Sequence, residues 1–152
     1  MRAFESQDPN YERRVRESFA RQRVMELIGA TLLRVEPGEV DIGLPFRDDL
    51  TQQHGFLHAG IVATIADSAC GYAALSLAAP QTGVLTIEYK VNLLAPASGA
   101  RLIARGRVTK PGRTITVSAG DVYAVQADGS EKLVATMLAT IMNIRERPGI
   151  SD

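Results

Sequence analysis

The chain has 152 residues, 17 basic and 17 acidic side chains, 45% hydrophobic residues and only 5% aromatic ones. A chain of this length buries most of its apolar surface in one core, so a single domain spanning 1–152 is expected, and the composition excludes a disordered or fibrous protein. Zero net charge leaves no global field with which to hold nucleic acid, and a single cysteine, Cys70, excludes an internal disulfide or a cysteine zinc cluster.

No apolar stretch suited to a signal peptide follows Met1, and the lone cysteine suits a reducing compartment, so a soluble cytoplasmic protein is expected. Residues 11–28 read as one surface helix. Tyr11, Val15 and Phe19 fall four apart, and Val24, Met25, Leu27 and Ile28 continue the stripe. Asn10 is the candidate N-cap and Gly29 the stop. Arg13, Arg14, Arg16, Arg21 and Arg23 crowd this helix and read as a solvated face partly paired with Glu12, Glu17 and Glu26; phosphate binding is the weaker alternative. A hairpin follows, Ala30 to Val35 and Glu39 to Leu44, turned at Glu36-Pro37-Gly38.

Ala59 to Ala79 holds one charge, Asp67, in 21 residues. The length would span a membrane, but a central carboxylate costs ~2.5–3.5 kcal/mol there, so no membrane partner is expected. A helix apolar on all sides is instead buried on nearly every side, and its many Ala, Gly and Ser residues admit close neighbours. It reads as a central helix wrapped by a sheet and ended by Pro80. Beyond Pro80 the chain alternates with period two. Val84 to Leu94 places Leu85, Ile87, Tyr89, Val91 and Leu93 on one face and Thr86, Glu88, Lys90 and Asn92 on the other. Arg101 to Thr109, Thr114 to Val125 and Leu133 to Ile144 follow, the last two joined by an Asp128-Gly129 turn. Arg145 to Asp152 reads as a frayed tail.

Few chemical motifs survive inspection. His54 and His58 stand four apart, but Gly55 disfavours a helix and no third ligand is evident, so no metal is expected. Phosphate-loop, dinucleotide and serine-elbow motifs are missing. Cys70 inside the apolar helix reads as packing. Asp67 is different, because a buried carboxylate must be paired, hydrogen-bonded or raised in pKa, and perturbed carboxylates collect at active sites. It is a candidate general base or nucleophile. The alternative is a packing role, bonded to a donor such as Thr64 or Ser68. Gln52 to Gly60 (QQHGFLHAG) feeds the start of the helix, whose free N–H groups and dipole suit a developing oxyanion. Gly60 would admit substrate to the backbone, and His58 is a catalytic candidate or simply a helix-entry residue. His58 and Asp67 are nine residues apart, ~13 Å along one helix and roughly on opposite sides. If both the helix start and Asp67 act on one substrate, they come from different subunits, so a homodimer is expected.

The stretch Gln52 to Tyr72 (QQHGFLHAGIVATIADSACGY), the strand VLTIEYKVNLLAPA from Val84 to Ala97, and Gly112-Arg113 together resemble the hotdog-fold acyl-CoA thioesterases of the phenylacetate-degradation type. The similarity runs from about Gly29 to Ile144, with an N-terminal helix added at about 11–28. The resemblance implies an α+β hotdog fold, a sheet wrapped around one long helix. It also implies an acyl-CoA substrate, no cofactor beyond the coenzyme A of the substrate, and a homodimer or dimer of dimers with two sites at each dimer interface. Residue by residue, Asp67 takes the place of the acidic catalytic residue, and His58-Ala59-Gly60 the place of His-Gly-Gly. The Ala59 or Gly60 N–H then polarises the thioester carbonyl. Gln52 stands where many members have a carbonyl- or water-holding Asn, and Thr86 where relatives carry Ser or Thr, on the face shared with Glu88. Ala59 for Gly narrows the approach, and Gln52 for Asn adds a methylene. His54, Gly55, Glu88 and Arg113 are candidate substrate contacts. Arg105, Arg107, Lys110 and Arg113 are candidates for the CoA phosphates, with a solvated strand face as the other reading for the arginines. Two alternatives share the fold: a hydratase or dehydratase of hydroxyacyl thioesters using His58, and a non-catalytic acyl-CoA-binding module. The acyl group, aryl, short or medium, depends on how Phe56, Leu57 and Tyr72 pack.

Overall fold

The helix-hairpin-helix-strands order reads directly into three dimensions. The computed structural model describes residues 4–150 and 152. Its elements are α1 (Tyr11–Arg21), α2 (Arg23–Ile28), β1 (Thr31–Glu36), β2 (Glu39–Pro45), a 3-10 turn (Asp48–Leu50), α3 (Ala59–Leu75), β3 (Thr82–Leu93), β4 (Arg101–Lys110), β5 (Ile115–Val125) and β6 (Glu131–Arg145). All strands lie in one antiparallel sheet of order β1-β2-β4-β5-β6-β3. The first strand after the long helix thus pairs with the last, which leaves β3 at a free edge. The concave face of the sheet wraps α3, as the alternation and the apolar run imply. No helix among the described residues is long and apolar enough to cross a membrane.

Close approach of helix to sheet is made possible from both sides. Ala66, Ala69, Cys70 and Ala73 on α3 are fully buried. Opposite them the strands carry glycine: a Cβ at Gly106 would collide with the Ala69 carbonyl oxygen, and one at Gly120 would lie 2.7 Å from Cys70 Sγ. Ile42, Leu44, Leu102, Val122, Val134 and Ile141 fill the remaining core.

Four expectations need correction. The helix over 11–28 is two helices, because Gln22 leaves helical geometry (φ −79, ψ 92). Gly29 does end the pair, in the left-handed conformation at φ 78, but Asn10 makes no side-chain cap; its own N–H is held by Asp8 Oδ1 at 2.8 Å. Arg14 is not on the solvated face. It is buried, ion-paired with Asp8 at 3.1 Å, and its guanidinium donates to the carbonyls of Leu75, Ala78 and Ala79. The third correction lies at those carbonyls: α3 stops at Leu75, well before Pro80, the chain beyond it closes i→i−3 bonds from Leu77 to Ala74 and from Ala78 to Leu75, and the Arg14 fork adds a donor to the Leu75, Ala78 and Ala79 carbonyls. Finally, the tail is not wholly frayed. β6 runs to Arg145, Ile150 packs against Gly83, and Asp152 Oδ1 accepts from Ser18 Oγ at 2.8 Å.

Candidate active site

The one charge in α3 sits on the helix's least covered stripe. Ile61, Thr64, Asp67 and Gly71, spaced three or four apart, are half-buried where the rest of the helix beyond its first turn is fully covered. Asp67 Oδ1 accepts a 2.7 Å hydrogen bond from Thr86 Oγ1 on the neighbouring edge strand β3. The donors suggested by sequence, Thr64 and Ser68, are engaged elsewhere: Thr64 Oγ1 donates to the Gly60 carbonyl at 2.7 Å and Ser68 faces Gln22. Burial raises the Asp67 pKa above the ordinary carboxylate value, and the Thr86 bond, which favours the ionised form, pulls against it. Asp67 and Thr86 open into a cleft of about 610 Å³ lined also by Arg21, Gln22, Ser68, Tyr72 and Val84.

Thr86 reaches Asp67 only because β3 is irregular. A β-bulge at Ile87 breaks the pairing with β6: Thr86 opposes Ile141, whereas Glu88 opposes Thr140. Ile141 is fully buried against α3, so Thr86 faces the helix, and Glu88 turns to the outer face beside Thr140. The expected shared face of Thr86 and Glu88 is therefore wrong, as is the single face for Leu85, Ile87 and Tyr89. Period-two reading cannot see an extra residue inserted in a strand.

At the other end of α3 the loop Gln52 to Leu57 is pinned by the Thr51–Leu57 bridge and by the Leu57 N–H to Ala97 carbonyl bond at 2.9 Å. Gln52 folds onto its own loop, its amide oxygen accepting from the His54 N–H. Gly55 adopts φ 82, and His54 and Gly55 are exposed. His58 is the N-cap: its Nδ1 accepts from the Gly60 N–H at 2.8 Å, while its carbonyl takes the Ile61 and Val62 N–H groups. Among the described residues the Ala59 N–H has no partner. Ala59 lines an apolar pocket of about 420 Å³ together with Gln52, Phe56, Leu57, Leu93, Leu94 and Ala95. An unbonded N–H at the positive end of a 17-residue helix, beside an apolar pocket, can hold a carbonyl oxygen as negative charge builds on it.

The structure thus brings Asp67 to Thr86, and Ala59, Gly60, His58 and Gln52 to one another, but keeps the two groups apart. Ala59 and Asp67 are eight residues apart, about 12 Å of helix rise, and their pockets share no lining residue. Phe56 and Leu57 belong to the first pocket and Tyr72 to the second. Arg113 lies exposed in the β4–β5 turn, its carbonyl accepting from Asn143 Nδ2 at 3.3 Å. Arg105 is committed to Glu131 through two bonds of 2.8 and 2.9 Å and stacks on Tyr123, and Arg107 is paired with Asp41 at 2.7 Å. Both read as strand-face pairs. Cys70 is buried, its thiol pushed up to about 12 by burial, with Asp67 and Asp121 adding to the shift, so no reactive thiolate forms. Among the described residues no three His, Cys, Asp or Glu side chains are grouped to hold a metal. Gln22, Ser68 and Asp152 were not marked as site residues in the sequence: no Gly or Pro signals the helix break at Gln22, and the tail folds back through a turn at Pro148-Gly149, with Gly149 at φ 82.

The thioesterase superfamily profile matches residues 54–129, from the helix-start loop to the β5–β6 turn. A crystal structure of a thioesterase family protein from Silicibacter pomeroyi is 53% identical, covering 89% of this chain and 98% of that one with a TM-score of 0.87. The 1,4-dihydroxy-2-naphthoyl-CoA hydrolase of Listeria monocytogenes is 25% identical over 82% of this chain and 98% of its own. The Escherichia coli PaaI protein of the phenylacetic acid degradation operon, at 17% identity, shares the fold with a TM-score of 0.80 over 96% of this chain and 99% of that one.

Proposed function

Since the chain belongs to the thioesterase superfamily and is a thioester hydrolase with the hotdog fold, we propose that it hydrolyses a small or medium acyl- or aryl-coenzyme A to the free acid and coenzyme A, at sites shared between two subunits. The observation that carries the reading is the separation of a half-buried carboxylate, Asp67 held by Thr86, from an unbonded helix-start amide, Ala59, on one chain. The acyl-CoA hydrolase among its relatives supports the substrate class.

The free edge of β3 supplies the dimer. Its twelve residues present an unpaired ladder, and Ile87, Tyr89 and Leu93 stand 54%, 46% and 54% exposed along it. A long apolar edge of this kind invites pairing with another strand, and two-fold symmetry makes a second copy the natural one. Antiparallel self-pairing about a two-fold axis at Lys90, with the Ile87 bulge taking up one residue, sets Val84 to Thr86 of one chain beside Leu93 to Ala95 of the other. Those two segments line the Asp67 cleft and the Ala59 pocket respectively. Each dimer then holds two complete sites. Leu138, exposed on the outer sheet face, offers a place for dimers to pair further.

In each site the thioester oxygen accepts from the Ala59 N–H at the positive end of α3. Asp67 of the partner subunit takes a proton from water as that water attacks the carbonyl carbon. The tetrahedral oxyanion collapses, the carbon–sulfur bond breaks, and the departing thiolate recovers the proton from Asp67. A raised pKa makes Asp67 a stronger base than an ordinary carboxylate, and Thr86 fixes one oxygen while leaving the other free. Gly60 is held by His58, which argues for Ala59 as the oxyanion donor and for a capping role for His58 rather than that of a hydratase base. The test is release of free thiol from a panel of acyl-CoAs by the wild type and by Asp67→Asn. Thiol release abolished by the substitution supports the reading; no release from any acyl-CoA, or an unchanged rate in the variant, overturns it.

A further inference from the structure

The Asp67 cleft has a polar wall that the hydrolytic step does not use. No glycine or proline forces the break between α1 and α2, yet Gln22 leaves the helix there and its side chain enters the cleft. Its Nε2 donates to Ser68 Oγ at 3.2 Å, and its Oε1 lies 3.4 Å from the Tyr72 hydroxyl. Tyr72 in turn lies 3.4 Å from Ser18 Oγ. Ser18, Ser68 and Tyr72 are all buried. The two contacts of the Tyr72 hydroxyl are long: hydroxyl bonds centre near 2.7–2.8 Å, the length of the nearby Thr86 to Asp67 bond at 2.7 Å. A buried Tyr72 hydroxyl left this loosely bonded is costly if its purpose is only to hold α1 on α3. That hydroxyl and the Gln22 amide oxygen are well placed to exchange partners with a ligand. Along α3, Ser68 follows Asp67 by about 1.5 Å and Tyr72 by about 7.5 Å, in a cleft that Val84 of β3 also lines.

We propose that Gln22, Ser68 and Tyr72 read a hydroxyl group on the acyl chain, about five to six atoms beyond the thioester carbonyl, so that the enzyme prefers a hydroxylated acyl group to the plain hydrocarbon of equal length. An extended six-carbon chain with its terminal hydroxyl matches the roughly 7.5 Å of helix rise between Asp67 and Tyr72, and that hydroxyl replaces the long Gln22–Tyr72 contact with two short bonds. The inference rests on the Asp67 cleft receiving the acyl group, as the hydrolytic reading has it.

The experiment compares kcat/KM for 6-hydroxyhexanoyl-CoA and hexanoyl-CoA in the wild type, Gln22→Met and Tyr72→Phe. The expected wild-type preference for the hydroxylated substrate is about tenfold, the factor two neutral hydrogen bonds confer, falling toward unity in each variant. Tyr72→Phe removes one oxygen and keeps the ring packed on Phe19, so the result does not hang on Gln22→Met folding. A purely structural network would lower the melting temperature of the variants and leave the ratio unchanged, which overturns the inference. Calorimetric binding of the two ketone analogues, in which a methylene separates sulfur from carbonyl, gives the same ratio without turnover. A tenfold binding preference lost in the variants upholds the inference even if hydrolysis fails. Equal binding, or binding of neither analogue, sinks it while leaving the hydrolytic reading to its own assay.

Discussion

Ala59→Pro isolates a single hydrogen-bond donor. Ala59 is the first residue of α3, a position where proline is favoured because the N–H has no helical partner and the ring presets φ. The preceding residue must be extended, and His58 already is, at φ −59 and ψ 138. Because Ala59 is exposed, the ring meets no packed neighbour. The helix should therefore survive with a stability change within about 0.5 kcal/mol, while the one amide left unbonded at the helix start is deleted. Loss of one oxyanion donor lowers kcat by about 10²–10³, or ~2.7–4 kcal/mol of transition-state stabilisation. Steady-state thiol release, read beside circular dichroism and a melting curve, checks both halves. A folded variant that keeps its rate to within about threefold would refute the assignment of Ala59 as the oxyanion donor. Gly60→Pro makes a poor substitute, because it also destroys the 2.8 Å cap to His58 Nδ1.

Other outcomes follow from the same contacts. Thr86→Val removes a bond that favours the ionised form of Asp67, so the acid limb of the pH–rate profile should move to higher pH; a limb that stays in place means that Thr86 does not touch the working carboxylate. Because burial raises the Asp67 pKa, the folded protein holds that proton more tightly than the unfolded chain, and stability attributable to this group falls as pH rises from the unfolded value through the folded one. Asp67→Asn should accordingly melt no lower than the wild type at pH 7, with its relative advantage shrinking in acid; a lower melting temperature at pH 7 contradicts this. Gly106→Ala should cost roughly 1–3 kcal/mol by overpacking against the Ala69 carbonyl, seen as a lowered melting temperature, and an unchanged value would show the sheet can yield there. Arg14→Met strips the fork from three carbonyls and leaves Asp8 buried without its partner, at a cost of about 3–5 kcal/mol in chemical denaturation.

The elements legible in the sequence were those with a local signature. A 21-residue apolar run with one charge, a Pro-Gly turn and an Asp-Gly turn gave the start of the central helix and both hairpins close to their observed bounds, while the helix ends at Leu75, short of the run's end at Ala79. Asp67 stood out because burying a carboxylate is costly, and the structure gives it a partner in Thr86. What stayed hidden depended on tertiary context. The bulge at Ile87 inserts one residue into a pattern of period two and reverses the face of everything after it. Arg14 looked like one more solvated arginine, but Asp8 and three carbonyls at and beyond the end of α3 claim it. Gln22 breaks a helix of continuous apolar periodicity without any breaker residue, and the tail reaches the cleft through contacts more than a hundred residues away in sequence.

The shared site is tested most directly by mixing two inactive proteins. Asp67→Asn and Ala59→Pro homodimers each lack every complete site, but a dimer with one chain of each kind has one intact site in two. After unfolding and refolding together at equal amounts, half the dimers are mixed, so thiol release should return to about a quarter of the wild-type rate. Activity no greater than the sum of the separately refolded variants would contradict a site built from two subunits.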